Sequence, residues 1–303
     1  MGLTLEGPLF ALLTPFDQRG DIDFQALQLY LDFLWEAGVR NIIVNGTTSE
    51  FASLSVLERK KILEFCRERW RGILINHLSA CCLADVFDLM DHTEHTVYGR
   101  PRADAVLLLP PFYFAGPLEE GVESFFSQCL AACKLPVFLY NFPQHVQHVL
   151  TAQMYKRLAD AFPGVAGVKD SGGSLEASLE LKAARPDLPV YVGNDRAASE
   201  VLRKGLDGSV TGAGNAVPEG FLKVHRGFAE GDDALMREGQ KLLDDWAGVR
   251  EAISPAEPPV VKAAMAARVG GFGQAVRPPF TELRPEDARR AREWIAGRLG
   301  AAA

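Results

Sequence analysis

Cysteine is scarce in this chain, with five (Cys66, Cys81, Cys82, Cys129, Cys133) in 303 residues. An odd number set in or beside helix-like stretches excludes a disulfide framework and points to a reducing compartment. Cys129 and Cys133 fall four apart on one helical face. No matching Cys or His pair stands nearby, so packing, not a metal, is expected there. His92 and His95, three apart on a polar helix, fare the same way. Blocks of Lys and Arg are missing as well. The net charge of −7 argues against nucleic acid or an anionic membrane surface as the main partner. The longest run free of both charged residues and histidine, Ala105 to Leu118, is too short to cross a bilayer. The opening MGLTLEGPLF has no basic segment and no signal-length apolar run, and Glu6 stands where a myristoylation motif needs Ser or Thr. These absences point to the cytoplasm.

What the chain does have is a beat. Hydrophobic residues make up 48% of it, ample for a large core. Apolar strand-like segments recur at 9–13, 41–45, 73–76, 105–109, 137–140, 165–169, 190–192 and 208–211. Helical periodicity fills the gaps, as in 24–37 with Leu27, Leu31, Leu34 and Trp35. Ser55 and Thr151 stand as start signals before two of these helices. Eight βα units over residues 1–230 predict a (β/α)8 TIM barrel. A doubly wound sheet would need a glycine-rich nucleotide loop after its first strand. The look-alike GAGNAVPEG (212–220) comes after the last strand and lacks the third glycine. From 231 to 303 the beat stops, and 232–253, 259–269 and 285–299 read as a C-terminal helical extension packed on the barrel.

In such a barrel, chemistry collects at the C-terminal ends of the strands. Strand six, in GVAGVKDSGG (164–173), ends in Lys169, a poor choice for a covered strand. By itself it would be taken for a solvated turn residue or a partner of Asp170. Strand five ends in Tyr140, on the neighbouring stave, and strand two in the threonines of NGTTSE (45–50). A desolvated amine, a phenol and hydroxyls together are the groups that Schiff-base chemistry requires: a nucleophile for a ketone carbonyl and a shuttle for its protons. Each residue alone has a plainer explanation in packing or helix capping. Their coincidence at adjacent strand ends favours a site.

The motifs LLTPF (12–16), NGTTSE (45–50), LPPFYF (109–114), LYNFP (139–143), GVKDSGG (167–173) and GLDGSVTGAGNAVPE (205–219) run the length of the chain. In order and spacing it resembles the dihydrodipicolinate synthase/N-acetylneuraminate lyase group of class I aldolases, and most of all the 2-keto-3-deoxy sugar-acid aldolases. The resemblance implies that Lys169 forms the Schiff base with pyruvate or another 2-oxo acid and that Tyr140 is the acid/base phenol. It implies that Thr47 relays the proton and Thr48 holds the carboxylate. It also implies that Tyr113 is lent across a subunit interface in a homotetramer, or dimer of dimers. Gly193 and Val210 match positions lining the pyruvate end. Neither a metal nor an organic cofactor is implied.

Departures from the pattern bear on the substrate. Ser49 replaces the glycine of the usual TTGE, which would strain the loop if that position has φ > 0. His145 stands where synthases carry an arginine for the second substrate's carboxylate. Strand three ends in Asn76, His77, Leu78 and Ser79 where the group has small residues, and these polar groups are expected to re-line the distal pocket. The expected activity is cleavage of a 2-oxo acid, such as a 2-keto-3-deoxy sugar acid, to pyruvate and an aldehyde. Dihydrodipicolinate synthase, a sugar-acid dehydratase and a non-catalytic ligand-binding barrel are the alternatives.

Overall fold

The apolar segments pair with one another because each is covered on both faces. The computed structural model describes residues 3, 5, 7–97 and 99–300. Its barrel strands are β1 (Leu9–Ala11), β2 (Asn41–Val44), β3 (Ile73–His77), β4 (Ala105–Leu108), β5 (Val137–Asn141), β6 (Val165–Asp170), β7 (Val190–Val192) and β8 (Gly208–Thr211). Each lies within two residues of its expected bounds. All pairings are parallel, and β1 pairs with both β2 and β8, which closes the barrel. The expectation at positions 2 and 6 concerning lipidation lies outside the described residues.

Strand alternation divides the core in two. Leu9, Ala11, Ile43, Ile75, Leu107, Phe138 and Tyr191 fill the barrel. Phe10, Ile42, Val44, Leu74 and, farther round, Val106, Leu108 and Leu139 face the helices. The surrounding helices are α1 (Phe24–Ala37), α2 (Val56–Arg69), α3 (Leu83–Glu94), α4 (Glu119–Ala132), α5 (Pro143–Val146), α6 (Ala152–Ala161), α7 (Leu175–Ala184), α8 (Ala198–Arg203) and α9 (Pro218–Glu230). Local signals fix where they begin. Ser55 and Glu58 form a capping box at α2, and Thr151 accepts a hydrogen bond from the Met154 amide at α6.

Three helices follow: α10 (Asp233–Ile253), α11 (Glu257–Met265) and α12 (Pro285–Leu299). Trp246, Val260, Ala264, Ala291 and Ile295 join the cluster that holds Phe10 and Phe221, so these helices share the barrel's outer core. The second starts two residues earlier than expected because Pro258 and Pro259 occupy its first turn, where a missing N–H costs nothing. No helix among the described residues is long and apolar enough to cross a membrane.

Candidate active site

Lys169 reaches the barrel interior because β6 carries one extra residue. Val137 pairs with Val165, but Phe138 pairs with Gly167, so the register slips by one between them. Val165 packs outward among the helices, and Ala166 packs against the inner cluster. Strict alternation from there would send Val168 inward and Lys169 outward. The bulge inverts the phase: Val168 packs outward and Lys169 lies opposite Tyr140 on the inner face. Gly167 makes this possible. Its φ is 148°, and a Cβ there would lie 2.6 Å from the Pro189 carbonyl oxygen and 2.9 Å from the Phe138 ring. Asp170 turns away from Lys169. Its carboxylate accepts from Asn141 Nδ2 at 2.8 Å, the Gly172 amide at 2.9 Å and Ser178 Oγ at 2.5 Å.

A cavity of about 410 Å³ opens at the C-terminal ends of the strands. Lys169, Tyr140, Thr47 and Thr48 line it, with Gly193, Val210 and His145 around them. Lys169 is 7% exposed and Tyr140 1%, and Lys169 Nζ sits 4.1 Å from the centroid of the phenol ring. Phe142 stacks on Tyr140 at 5.7 Å, and the His77 ring meets it edge-on at 6.0 Å, so the phenol is fixed in place. His145 stacks on Phe142 at 3.9 Å, and burial holds its imidazole below the ordinary range, so it is neutral at pH 7. Gly193 leaves room for the Ser171 hydroxyl, which a Cβ at that position would meet at 2.3 Å.

Five expected contributors lie outside this cavity. Asn76 turns outward from β3, accepting from Asn45 Nδ2 and donating to Thr93 Oγ1, each at 2.8 Å. Ser79 Oγ accepts from the Leu109 amide at 2.6 Å. His77 donates from Nδ1 to the Asn45 carbonyl at 2.9 Å, and burial, then Arg59, hold its imidazole well below the ordinary range. These groups brace the strand-two loop instead of re-lining a distal pocket. Arg59 completes the brace by donating to the carbonyls of Ser79 and His77. Ser49 also points away. Its hydroxyl donates to the Leu12 carbonyl at 2.5 Å and accepts from the Gly46 amide at 3.2 Å. The strain expected at Ser49 falls elsewhere, because Asn45 (φ 60°) and Glu50 (φ 59°) take the left-handed conformations. Tyr113 stands on the surface, 84% exposed, beside Phe114 and Leu118, which are also exposed.

Charged residues that were not singled out also line the cavity, among them Asp195, Arg250 and Glu257. Arg250 approaches Glu257 at 4.0 Å and Glu251 at 3.6 Å, so carboxylates already face its charge. Burial, reinforced by Glu257, pushes the Asp195 carboxyl up to about 7. Asp195 was visible in VGND at the end of β7. Arg250 and Glu257 come from helices beyond the barrel beat, where periodicity says nothing of a cavity.

The loop carrying the threonines is anchored from the far end of the chain. Glu50 and Lys262 form an ion pair at 2.5 Å with both side chains wholly buried. Lys262 also donates to the Ala275 carbonyl at 2.8 Å and lies over the Phe16 ring. The Arg277 amide donates to Glu50 Oε2 at 3.0 Å. Burial overrides the pair's attraction and pulls the Lys262 ammonium down to about 8.

Known proteins of this shape and sequence are numerous. Residues 4–296 match the model of the dihydrodipicolinate synthetase family. A DapA-like lyase of Thermococcus onnurineus is 32% identical over 96% of this chain and 100% of its own. The 4-hydroxy-tetrahydrodipicolinate synthase of Bacillus subtilis is 31% identical over 92% and 94%. Among solved structures, YagE of E. coli K12, a prophage protein crystallised with pyruvate, superposes with a TM-score of 0.90 at 24% identity, covering 97% of this chain and 99% of that one. A 2-keto-3-deoxygluconate aldolase variant of Sulfolobus solfataricus gives 0.85 at 24%, covering 96% and 95%. With the family model spanning almost every residue and the barrel closed as in those structures, the chain belongs to the dihydrodipicolinate synthetase family.

Proposed function

We propose that this protein, a carbon–carbon lyase by family, cleaves a 2-oxo acid to pyruvate and an aldehyde through an iminium on Lys169. The observation that carries this is the buried amine of Lys169 set 4.1 Å from the Tyr140 ring within a strand-end cavity. The amine adds to the ketone, water leaves, and the cationic iminium draws electrons from the adjacent C–C bond as it breaks. Tyr140 takes the hydroxyl proton as that carbon leaves as the aldehyde and returns a proton to the enamine carbon, with Thr47 as relay. Water then hydrolyses the iminium to free pyruvate and the amine, and Thr48 holds the carboxylate throughout. Tyr113, exposed with Phe114 and Leu118, suits burial against another copy, which supports a homotetramer in which one subunit completes its neighbour's site. Five free cysteines fit a cytoplasmic setting.

Borohydride added with pyruvate should fix one reduced pyruvyl group on the peptide containing Lys169. An unmodified Lys169 at saturating pyruvate would sink the mechanism.

The preferred substrate is a 2-keto-3-deoxy sugar acid. His145 is neutral, Arg250 faces Glu257 and Glu251, and Arg196 pairs with Glu251 at 2.7 Å, so both guanidinium groups described on the cavity wall already face acidic partners, whereas carboxylates suit hydroxyl donors. Arg250 on the cavity wall is also the observation favouring the second reading, dihydrodipicolinate synthesis. Steady-state comparison separates them. Sugar-acid cleavage should exceed the reaction of pyruvate with aspartate semialdehyde in kcat/KM by roughly ten- to a hundred-and-fifty-fold, the worth of one charge-assisted contact. The reverse order would transfer the assignment to the synthase.

Gly212 tests the role of Thr48. A Cβ there would lie 2.1 Å from Thr48 Oγ1, while its φ of −102° suits any residue. Gly212→Ala should leave the fold intact, displace the Thr48 hydroxyl together with the Glu257 carboxyl beside it, and raise half-saturation by pyruvate about ten- to a hundred-and-fifty-fold, a rise that Thr48→Val, which spares Glu257, should reproduce. Unchanged half-saturation would remove Thr48 from carboxylate binding.

A further inference from the structure

Glu257 opens α11 at the rim of the cavity, and its Oε1 lies 3.4 Å from Thr48 Oγ1. The two side chains crowd the Gly212 backbone so closely that a Cβ would meet Glu257 Oε1 at 2.4 Å and Thr48 Oγ1 at 2.1 Å. A hydroxyl group has one proton to give. An ionised Glu257 only accepts, so it takes that proton and leaves Thr48 with none for a substrate carboxylate. It also places a second negative charge beside that carboxylate. A protonated Glu257 donates to Thr48 instead and frees the threonine's proton for the substrate.

The surroundings bear on which form is held. The charged groups facing Glu257 are Arg250 from α10, at 4.0 Å, Lys169 from β6, and Asp195 from the turn after β7. Arg196 and Glu251, also on the cavity wall, pair with each other at 2.7 Å. Burial holds the Glu257 carboxyl above its ordinary range against the pull of Arg250 and Lys169. Pro258 and Pro259 remove two amide donors from the start of α11, so the helix end offers little to an anion there.

We propose that Glu257 takes up a proton when a 2-oxo acid binds, making it a residue of the substrate site whose carboxyl couples substrate affinity to pH. This rests on the carboxylate-holding role given to Thr48 above. The linkage runs in one direction: substrate binding favours protonated Glu257, so affinity falls as pH rises past its titration, by up to about tenfold per pH unit.

The test is the half-saturating pyruvate concentration for borohydride trapping, measured from pH 5 to 8.5 in the unaltered protein and in Glu257→Gln. Every other side chain is common to the two proteins, so the ratio of the two concentrations reports the Glu257 carboxyl, acting directly and through its neighbour Asp195. That ratio should be flat at low pH and rise at least about tenfold across the range. Glu257→Ala, checked for an unchanged thermal midpoint, should give the same trend and guards against the amide disturbing the local packing. A ratio that stays constant with pH overturns the proposal while leaving the Schiff-base reading in place. Absence of any Lys169 adduct in the unaltered protein at every pH overturns both.

Discussion

Replacing Tyr140 with phenylalanine lowers turnover of the 2-oxo acid by 10²- to 10⁴-fold, the usual contribution of a positioned acid or base, or about 3–5 kcal/mol in the barrier. The substitution removes one oxygen and leaves the ring. Its neighbours hold the ring by its faces and edges: Phe142 stacks on it, His77 abuts it, and Lys169 Nζ lies over it. The phenyl ring of the variant should therefore sit where the phenol did, and the fold should be retained. Borohydride trapping of pyruvate should persist at a reduced rate, because the amine is untouched. Turnover should fall in kcat with a much smaller change in KM, since proton transfer is felt in the transition state. A loss below about tenfold in kcat would take the proton-shuttling role away from Tyr140.

Lys262→Met costs about 3–5 kcal/mol of folding stability, the range expected when one partner of a buried ion pair is removed. Glu50 would keep its carboxylate in a fully buried place with the Arg277 amide as a remaining donor. Equilibrium denaturation of the single variant and of Glu50→Gln/Lys262→Met measures the effect. The double variant removes both charges together and should recover most of the loss. If the double variant is no more stable than the single, the stranded carboxylate is not the source of the cost.

The barrel was legible because eight apolar segments alternating with capped helices admit few other closures. Lys169 was legible by its position and illegible by its direction. Counting alternate residues from Val165 points the lysine out of the barrel, and only the bulge turns it in. Gly167, a glycine inside a strand, was the single trace of that bulge in the sequence. The strand-three residues went the other way. Asn76, His77 and Ser79 sit at a strand end, yet Asn45, Thr93, Arg59 and Leu109 use their polar groups. Their partners stand on two other strands' ends and two helices, a meeting that spacing along the chain does not encode. Arg250 and Glu257 were missed for the same reason, since nothing local ties α10 and α11 to the mouth of a barrel built earlier in the chain.

The fastening of Glu50 by Lys262 and the Arg277 amide also sets an order of events during synthesis. When β8 has left the ribosome, Lys169, Tyr140, Thr47 and Thr48 have all emerged, and the barrel can close. The loop bearing the threonines still lacks its anchors, which lie more than two hundred residues downstream of Glu50. Contacts of that span form late, after the loop-closure entropy of the intervening chain has been met. If Lys169 and Thr48 have the roles proposed above, a nascent barrel would hold the amine in place before the loop meant for the substrate's carboxylate is anchored.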